Sequence, residues 1–267
     1  MRVFVCVLLL AALDAGEPGT ITIVTWNVLN EAETWAERLP RLHAALDAAR
    51  PDIVCTQETT TAMRADLARG AWCSGLHGVD LDGSPATIAG LHVWSRWPID
   101  ARKVHLPTRM RRGGLITRVA APGGACDLGV VHLDSRLEDG PVRSRQLAVM
   151  NAALPDSGDA ILAGDFNFGD GEPDGDALRG WQDAWRVLHP DQPGFTWDLQ
   201  RNPRAPANSF PDEPSRRIDR VLLRGGWQVV SADLIGGDVP TGSDHLGLRV
   251  VLRRGSATGA APAQSSR

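Results

Sequence analysis

Asp159–Asn167 (DAILAGDFN) decides the fold. A short apolar run, residues 159–164, ends abruptly, and an acid and an amide follow at its last turn. Such a run, too short for a helix of its own, reads as a strand buried on both faces. The same pattern recurs along the chain. Ile21–Val28 (ITIVTWNV) is a β-branched run with Asn27 near its end. Asp52–Glu58 (DIVCTQE) is a buried strand closing on Gln57 and Glu58, Cys126–Leu133 reaches His132, and Leu246–Leu252 follows Asp244 and His245. In mixed α/β cores such strand ends converge on one rim, where sites are built. A single polar residue at a strand end is usually a turn or a cap. Five ends carrying acid, amide and imidazole point together to a site.

Between these strands the pattern changes. Trp35–Arg50 is predicted helical, with Leu39, Leu42, Ala45, Leu46 and Ala49 at helix spacing and Pro51 as its stop. Val142–Leu154 and Asp176–Leu188 are read as second and third helices. Further strands are expected at residues 87–94, Leu115–Ala120, Ile218–Leu223 and Trp227–Leu234, and the turn at 122–124 pairs Leu115–Ala120 with Cys126–Leu133 as a hairpin. Strands outnumber helices and no internal repeat or linker divides the chain, so one domain with a two-sheet core and outer helices is expected.

Composition bounds the function. The 267 residues are 43% hydrophobic and 22% charged, enough for a sizeable core, which excludes a disordered or fibrous chain. The net charge of −4 argues against attachment to DNA by bulk positive charge. No apolar run reaches the ~18 residues of a membrane span. There is no tyrosine, so no phenol takes part in the chemistry, and Lys103 is the only lysine. Cys6, Cys55, Cys73 and Cys126 lack metal-knuckle spacing; Cys55 and Cys126 lie in apolar runs and read as small core residues. Val3–Leu13 behind Arg2 has the length of a signal-peptide core, although Leu13 and Asp14 sit badly before a cut after Ala15. Residues 1–20 are thus an N-terminal extension or a signal peptide, 21–252 the domain, and 253–267 a loose tail. A cytoplasmic location is expected, with export as the alternative.

Six ordered motifs carry a resemblance: Thr25-Trp26-Asn27, Gln57-Glu58, His132-Leu133, Gly164-Asp165-Phe166-Asn167, Arg217-Ile218-Asp219 and Ser243-Asp244-His245. Together they resemble the endonuclease/exonuclease/phosphatase (DNase I-like) superfamily over nearly the whole chain. The resemblance implies a four-layer α/β sandwich of two packed, mostly antiparallel sheets flanked by helices. It also implies Mg²⁺-dependent cleavage of phosphate esters, with Mn²⁺ as a substitute. A hard cation selects oxygen ligands, which makes Glu58 the first metal ligand, the Asn27 amide oxygen the second and Asp244 a supporting one. Asp165 would take a proton from the attacking water, with Asn167 orienting that water or the phosphate. His132 and His245 would donate to the phosphoryl oxygens, and Asp219 would hold His245 in its charged form. Each has a plainer reading: a capping Asn, a surface Glu, a satisfied core His, an Asx turn, or Asp219 paired with Arg217 or Arg220.

Within the superfamily the closest resemblance is to 5′-tyrosyl-DNA phosphodiesterases. It rests on Met110-Arg111-Arg112, His132-Leu133-Asp134-Ser135, Asp183-Ala184-Trp185, Phe195-Thr196-Trp197-Asp198 and the stretch from Ser243 to Leu248. It implies a DNA-repair activity on nucleic acid, with Trp197 beside the strand, as a base platform or as a core Trp. Ser135, and Arg112 and Arg217 from two arginine clusters, are the expected phosphate contacts; a run of arginines is otherwise a solvated face. The acidic run 170–176 departs from that group and reads as a solvated loop. A lipid or inositol phosphate hydrolase, an exported nuclease and a non-catalytic binding module are the alternatives. A monomer is expected.

Overall fold

The computed structural model describes residues 19–80, 90–121, 124–155 and 158–255. Two six-stranded sheets are formed. The first holds β1 (Thr20–Asn27), β2 (Ile53–Thr59), β3 (His77–Asp80), β4 (Gly90–Ser95), β11 (Trp227–Ile235) and β12 (Gly247–Arg254), in the order β11-β12-β1-β2-β4-β3. The second holds β5 (Ile99–His105), β6 (Gly113–Val119), β7 (Cys126–His132), β8 (Ala160–Asp165), β9 (Gln182–Asp183) and β10 (Asp219–Arg224), in the order β5-β6-β7-β8-β10-β9. Among the described residues only β1–β2 and β7–β8 pair in parallel; the other pairings are antiparallel.

Alternation along the central strands generates the layers. Ile21, Ile23, Ile53, Cys55 and Val93 turn inward against Leu128, Val130, Ile161, Ala163, Val221 and Leu223, forming the core between the sheets. The opposite face of the first sheet, with Val24, Trp26, Val54 and Trp94, is covered by Leu42 and Leu46 of α1 (Trp35–Ala49) and Leu67 of α2 (Thr61–Leu67). The opposite face of the second, with Val131, Leu162 and Leu222, is covered by Leu147 and Met150 of α3 (Gly140–Ala153). Helix, sheet, sheet, helix is the expected four-layer sandwich. The central strands are buried on both faces, so they read as continuous apolar runs rather than as alternating ones.

Two expectations change. The helix expected over 176–188 is broken: a 3₁₀ turn Pro173–Leu178 ends before Gly180, whose φ of +84° reverses the chain. Asp183 then caps a separate short helix, α4 (Ala184–Leu188), by accepting from the N–H groups of Trp185 and Arg186. Residues 253 and 254, expected to open the tail, belong instead to β12, where Arg254 pairs with Trp227. Residues 256–267 and the N-terminal 1–18, including Cys6, lie outside the described residues, as do 87–89 of an expected strand and 122–123 of the expected turn. The hairpin itself forms, with β6 and β7 in antiparallel register. Cys55, Cys73 and Cys126 are buried free thiols.

Candidate active site

β1 and β2 run parallel in one sheet, β7 and β8 in the other, and all four deliver their C-terminal ends to one cleft. Its volume is about 240 Å³, and it is lined by Asn27, Glu58, Arg112, His132, Ser135, Asp165, Asn167, Trp197, Asp244 and His245, among others. Thus ten of the twelve residues singled out in the sequence meet at one place. A larger groove, about 690 Å³, runs between α1 and the 236–242 loop and contains none of them.

Two backbone features aim the acids. Glu58 has a φ of +61°, inside a register shift of the β2–β4 ladder between Thr56 and Thr59. That bulge turns the carboxylate at the strand end toward Asn27. Gly164 has a φ of +140°, and a Cβ there would stand 2.0 Å from the Val131 carbonyl oxygen. Only glycine lets β8 approach β7 so closely just before Asp165.

Asp165 is the hub. Its Oδ1 accepts the Asn167 backbone N–H at 2.9 Å, and its Oδ2 accepts the Asn27 amide N–H at 3.0 Å. The Nε2 atoms of His132 and His245 stand 3.4 and 3.9 Å from Oδ2. Burial, then the neighbouring Asp219 charge, lifts the Asp165 carboxyl to about 7, against the pull of His245 and its hydrogen bonds.

The two imidazoles differ in charge. His245 Nδ1 lies 2.8 Å from Asp219 Oδ2. Burial opposes its charge, but the carboxylates of Asp219 and Asp165 prevail and raise it to about 10. His132 is fully buried and has the Arg112 guanidinium 3.0 Å from its Nδ1. Burial, then the charges of Arg112 and His245, push it well below the ordinary imidazole value. Arg112 must donate, so His132 Nδ1 accepts and Nε2 carries the proton, directed toward Asp165. The cleft thus presents one imidazolium and one neutral imidazole N–H.

On the other side stand Glu58 and Asp244. Glu58 accepts from the Asn27 amide at 3.3 Å and from the Asn30 backbone N–H at 2.8 Å. Asp244 accepts from Asn208 at 2.9 Å and Ser243 Oγ at 3.2 Å. Burial and the Glu58 charge raise the Asp244 carboxyl, partly countered by His245. Two carboxylates that repel each other beside an amide make an oxygen-rich donor set suited to a hard divalent cation. Asp165, Asp219 and His245 also bring ligand atoms within 4.8 Å of one another. An imidazolium has no free lone pair, however, which favours the Glu58–Asp244 side for a cation. The Asn27 amide departs from expectation: its oxygen accepts the Leu29 N–H at 3.1 Å, and its NH₂ faces the two acids.

Trp197 lines the cleft but is only 6% exposed, with its ring centroid 5.0 Å from that of His245 and its flank against Ala205 and Ile218. It walls the imidazolium rather than offering an open platform. Arg217 is corrected: 2% exposed, it does not line the cleft and pairs with Asp170 at 2.6 Å and Asp183 at 2.8 Å. Arg220 joins the same acids, and Arg216 pairs with Glu213 and Glu172. That arginine cluster is neutralised internally. Nor is the acidic run a purely solvated loop, since Asp170 anchors arginines and Asp174 is buried against Arg143 at 2.8 Å. These pairs fix the segment that follows Asp165 and Asn167. Asn208, Phe210 and Glu213 also line the cleft, from the segment containing α5 (Ala205–Asn208). That segment shows neither period nor motif, and only the 40% exposed Phe210 stands out, once the fold places it at the site.

Tyrosyl-DNA phosphodiesterase 2 of Danio rerio is 28% identical over 216 residues, 78% of this chain, and the chain spans 58% of that protein's length. The crystal structure of D. rerio TDP2 complexed with single-strand DNA product has a TM-score of 0.75 at 24% identity, covering 88% of this chain and 99% of that one. Sphingomyelinase C from Streptomyces griseocarneus has a TM-score of 0.68 at 18% identity, covering 88% and 99%. Both structural likenesses concern the fold. The Endonuclease/Exonuclease/phosphatase family matches residues 24–245. With 24–245 spanning both sheets and every residue of the cleft named above, the chain belongs to that family, whose members are phosphoric ester hydrolases.

Proposed function

We propose that this chain is a Mg²⁺-dependent phosphodiesterase that hydrolyses nucleic acid, at a 5′ end bearing a tyrosyl adduct. The observation that carries the reading is the Asp165 carboxylate set between a charged and a neutral imidazole, across the cleft from Glu58 and Asp244. Glu58 and Asp244 would hold the cation, with Mn²⁺ able to replace Mg²⁺, and the Asn27 NH₂ would orient the Glu58 and Asp165 carboxylates. Bound there, it would polarise the phosphoryl group and offset the charge that develops on it.

The protein groups divide the remaining work. Asp165, lifted to about 7, is matched to accept a proton from water near neutral pH. Asn167, whose side-chain amide donates to the Leu133 carbonyl at 2.9 Å, keeps the loop after β8 in place so that its backbone N–H orients Asp165. The His245 imidazolium and the His132 Nε2–H donate to phosphoryl oxygens, where charge grows in the transition state. Arg112 adds a cation at the wall, and Ser135 a hydroxyl. Water attacks directly, and no covalent enzyme intermediate is needed. The sequence relative acts on tyrosyl-DNA by name, which supports the substrate class.

The test is release of tyrosine from a 5′-phosphotyrosyl oligonucleotide in Mg²⁺, beside an unmodified oligonucleotide and sphingomyelin. Selective release supports the reading. Cleavage of either control alone keeps the chemistry and replaces the substrate.

A further inference from the structure

Arg38 lies in the first turns of α1, is fully buried, and forms no hydrogen bond or ion pair with a carboxylate among the described residues. An isolated buried cation is costly unless every donor is satisfied. Here all five N–H groups are. Nε donates to Thr34 Oγ1 at 2.9 Å; one terminal nitrogen donates to the carbonyls of Val28 and Gly242 at 2.7 and 2.9 Å, the other to those of Leu29 and Glu31, both at 2.8 Å.

Those four carbonyls belong to two loops that reach the acids of the cleft. The 28–31 turn holds Leu29 at a φ of +59°, a conformation costly for a leucine, and it aims the Asn30 N–H at Glu58 Oε2 and the Leu29 N–H at the Asn27 amide oxygen. Gly242 precedes Ser243, whose hydroxyl contacts the Asn27 carbonyl at 2.6 Å and Asp244 Oδ1 at 3.2 Å. One guanidinium therefore braces the orientation of Glu58, Asn27 and Asp244 together.

We infer that Arg38 is a positioning residue for the divalent cation, an inference that rests on the assignment of the cation to Glu58 and Asp244. A lysine keeps the charge but supplies three donors from a point, and cannot span both loops. Groups that orient metal ligands from behind typically matter ~10–100-fold in metal affinity.

Mn²⁺ binding is measured directly from the electron paramagnetic resonance of the free ion, for the wild type, Arg38→Lys and Thr34→Val, with near-ultraviolet circular dichroism to verify folding. The expected result is a Kd for Mn²⁺ raised ~10–100-fold in Arg38→Lys. Activity returns at high Mg²⁺, and the KM for the oligonucleotide stays within about twofold. Thr34→Val, which removes the Nε acceptor and the hydroxyl's bond to Glu31 but leaves the four carbonyl contacts, raises the Kd about two- to tenfold and decides the matter if Arg38→Lys does not fold. A folded variant binding Mn²⁺ within twofold of wild type overturns the role of Arg38 alone. A wild type that binds no Mn²⁺ overturns the cation assignment and this inference with it.

Discussion

The Asp219–His245 pair offers the sharpest test of the cleft's electrostatics. Asp219→Asn keeps the shape of a fully buried side chain and leaves the β8–β10 ladder alone, since that pairing uses the backbone. It removes the carboxylate 2.8 Å from His245 Nδ1. In the wild type the imidazole holds its proton up to about 10. Without Asp219, the largest charge holding it up, burial pulls it down toward the ordinary ~6.5, although Asp165 and Asp244 remain. At pH 8 the charged fraction then falls from nearly all toward ~3%, a loss of up to ~30-fold from protonation alone. Loss of ring orientation adds to this, for a total near the ~10²–10³ seen when one transition-state hydrogen-bond donor is removed. The sign follows from the form required: activity carried by the imidazolium is present below its pKa and lost as pH rises through it. The alkaline limb of kcat should therefore move from about 10 toward ~6.5 in the variant, with KM nearly unchanged. Single-turnover hydrolysis across pH 6–11, together with nuclear magnetic resonance titration of the His245 ring, reads both effects. A folded Asp219→Asn variant with kcat within threefold of wild type, or an unmoved His245 titration, would refute the reasoning.

Glu58→Gln should remove cation-dependent turnover while leaving the melting temperature within a few degrees, as followed by Mg²⁺ titration of the rate; unchanged Mg²⁺ dependence would move the cation elsewhere. Trp197→Ala should lower kcat on a small aryl phosphodiester as much as on single-stranded DNA, because the ring packs on His245. A defect confined to DNA would instead restore the role of base platform. Arg217→Gln should cost ~1–3 kcal/mol, because Asp170 and Asp183 are partly exposed and both keep Arg220, lowering the melting temperature by roughly 2–10 °C with little change in KM. Calorimetry checks this, and a rise in KM at constant stability would return Arg217 to the substrate.

The strand ends that reach the cleft were readable because burial on both faces leaves an apolar run, whose break into polar residues marks the rim of the sheet. DAILAG-DFN, ITIVTW-N and DIVCTQ-E all break in this way, and the structure brings Asp165, Asn27 and Glu58 to the same cleft. What escaped was decided by contacts between residues far apart in sequence. Arg217 looked like a phosphate ligand because nothing local reveals that Asp170 and Asp183 reach it. The helix expected over 176–188 had suitable spacing, but Gly180 and the Asp183 cap outweighed it. Arg38 reads as one more arginine on an amphipathic helix until the two loops close over it. The backbone twist at Glu58, which turns a strand residue into a site residue, has no signature in sequence at all.

The central claim is that Asp165 activates water for direct attack on a phosphodiester with the help of a divalent cation. Its most direct measurement is single-turnover hydrolysis of bis(p-nitrophenyl) phosphate in H₂¹⁸O, with and without Mg²⁺, comparing wild type with Asp165→Asn. The account predicts a Mg²⁺-dependent wild-type rate, one ¹⁸O in the released phosphomonoester, and a rate at least ~10²-fold lower in the variant. A Mg²⁺-independent rate, an Asp165→Asn variant as fast as wild type, or product without ¹⁸O would contradict it.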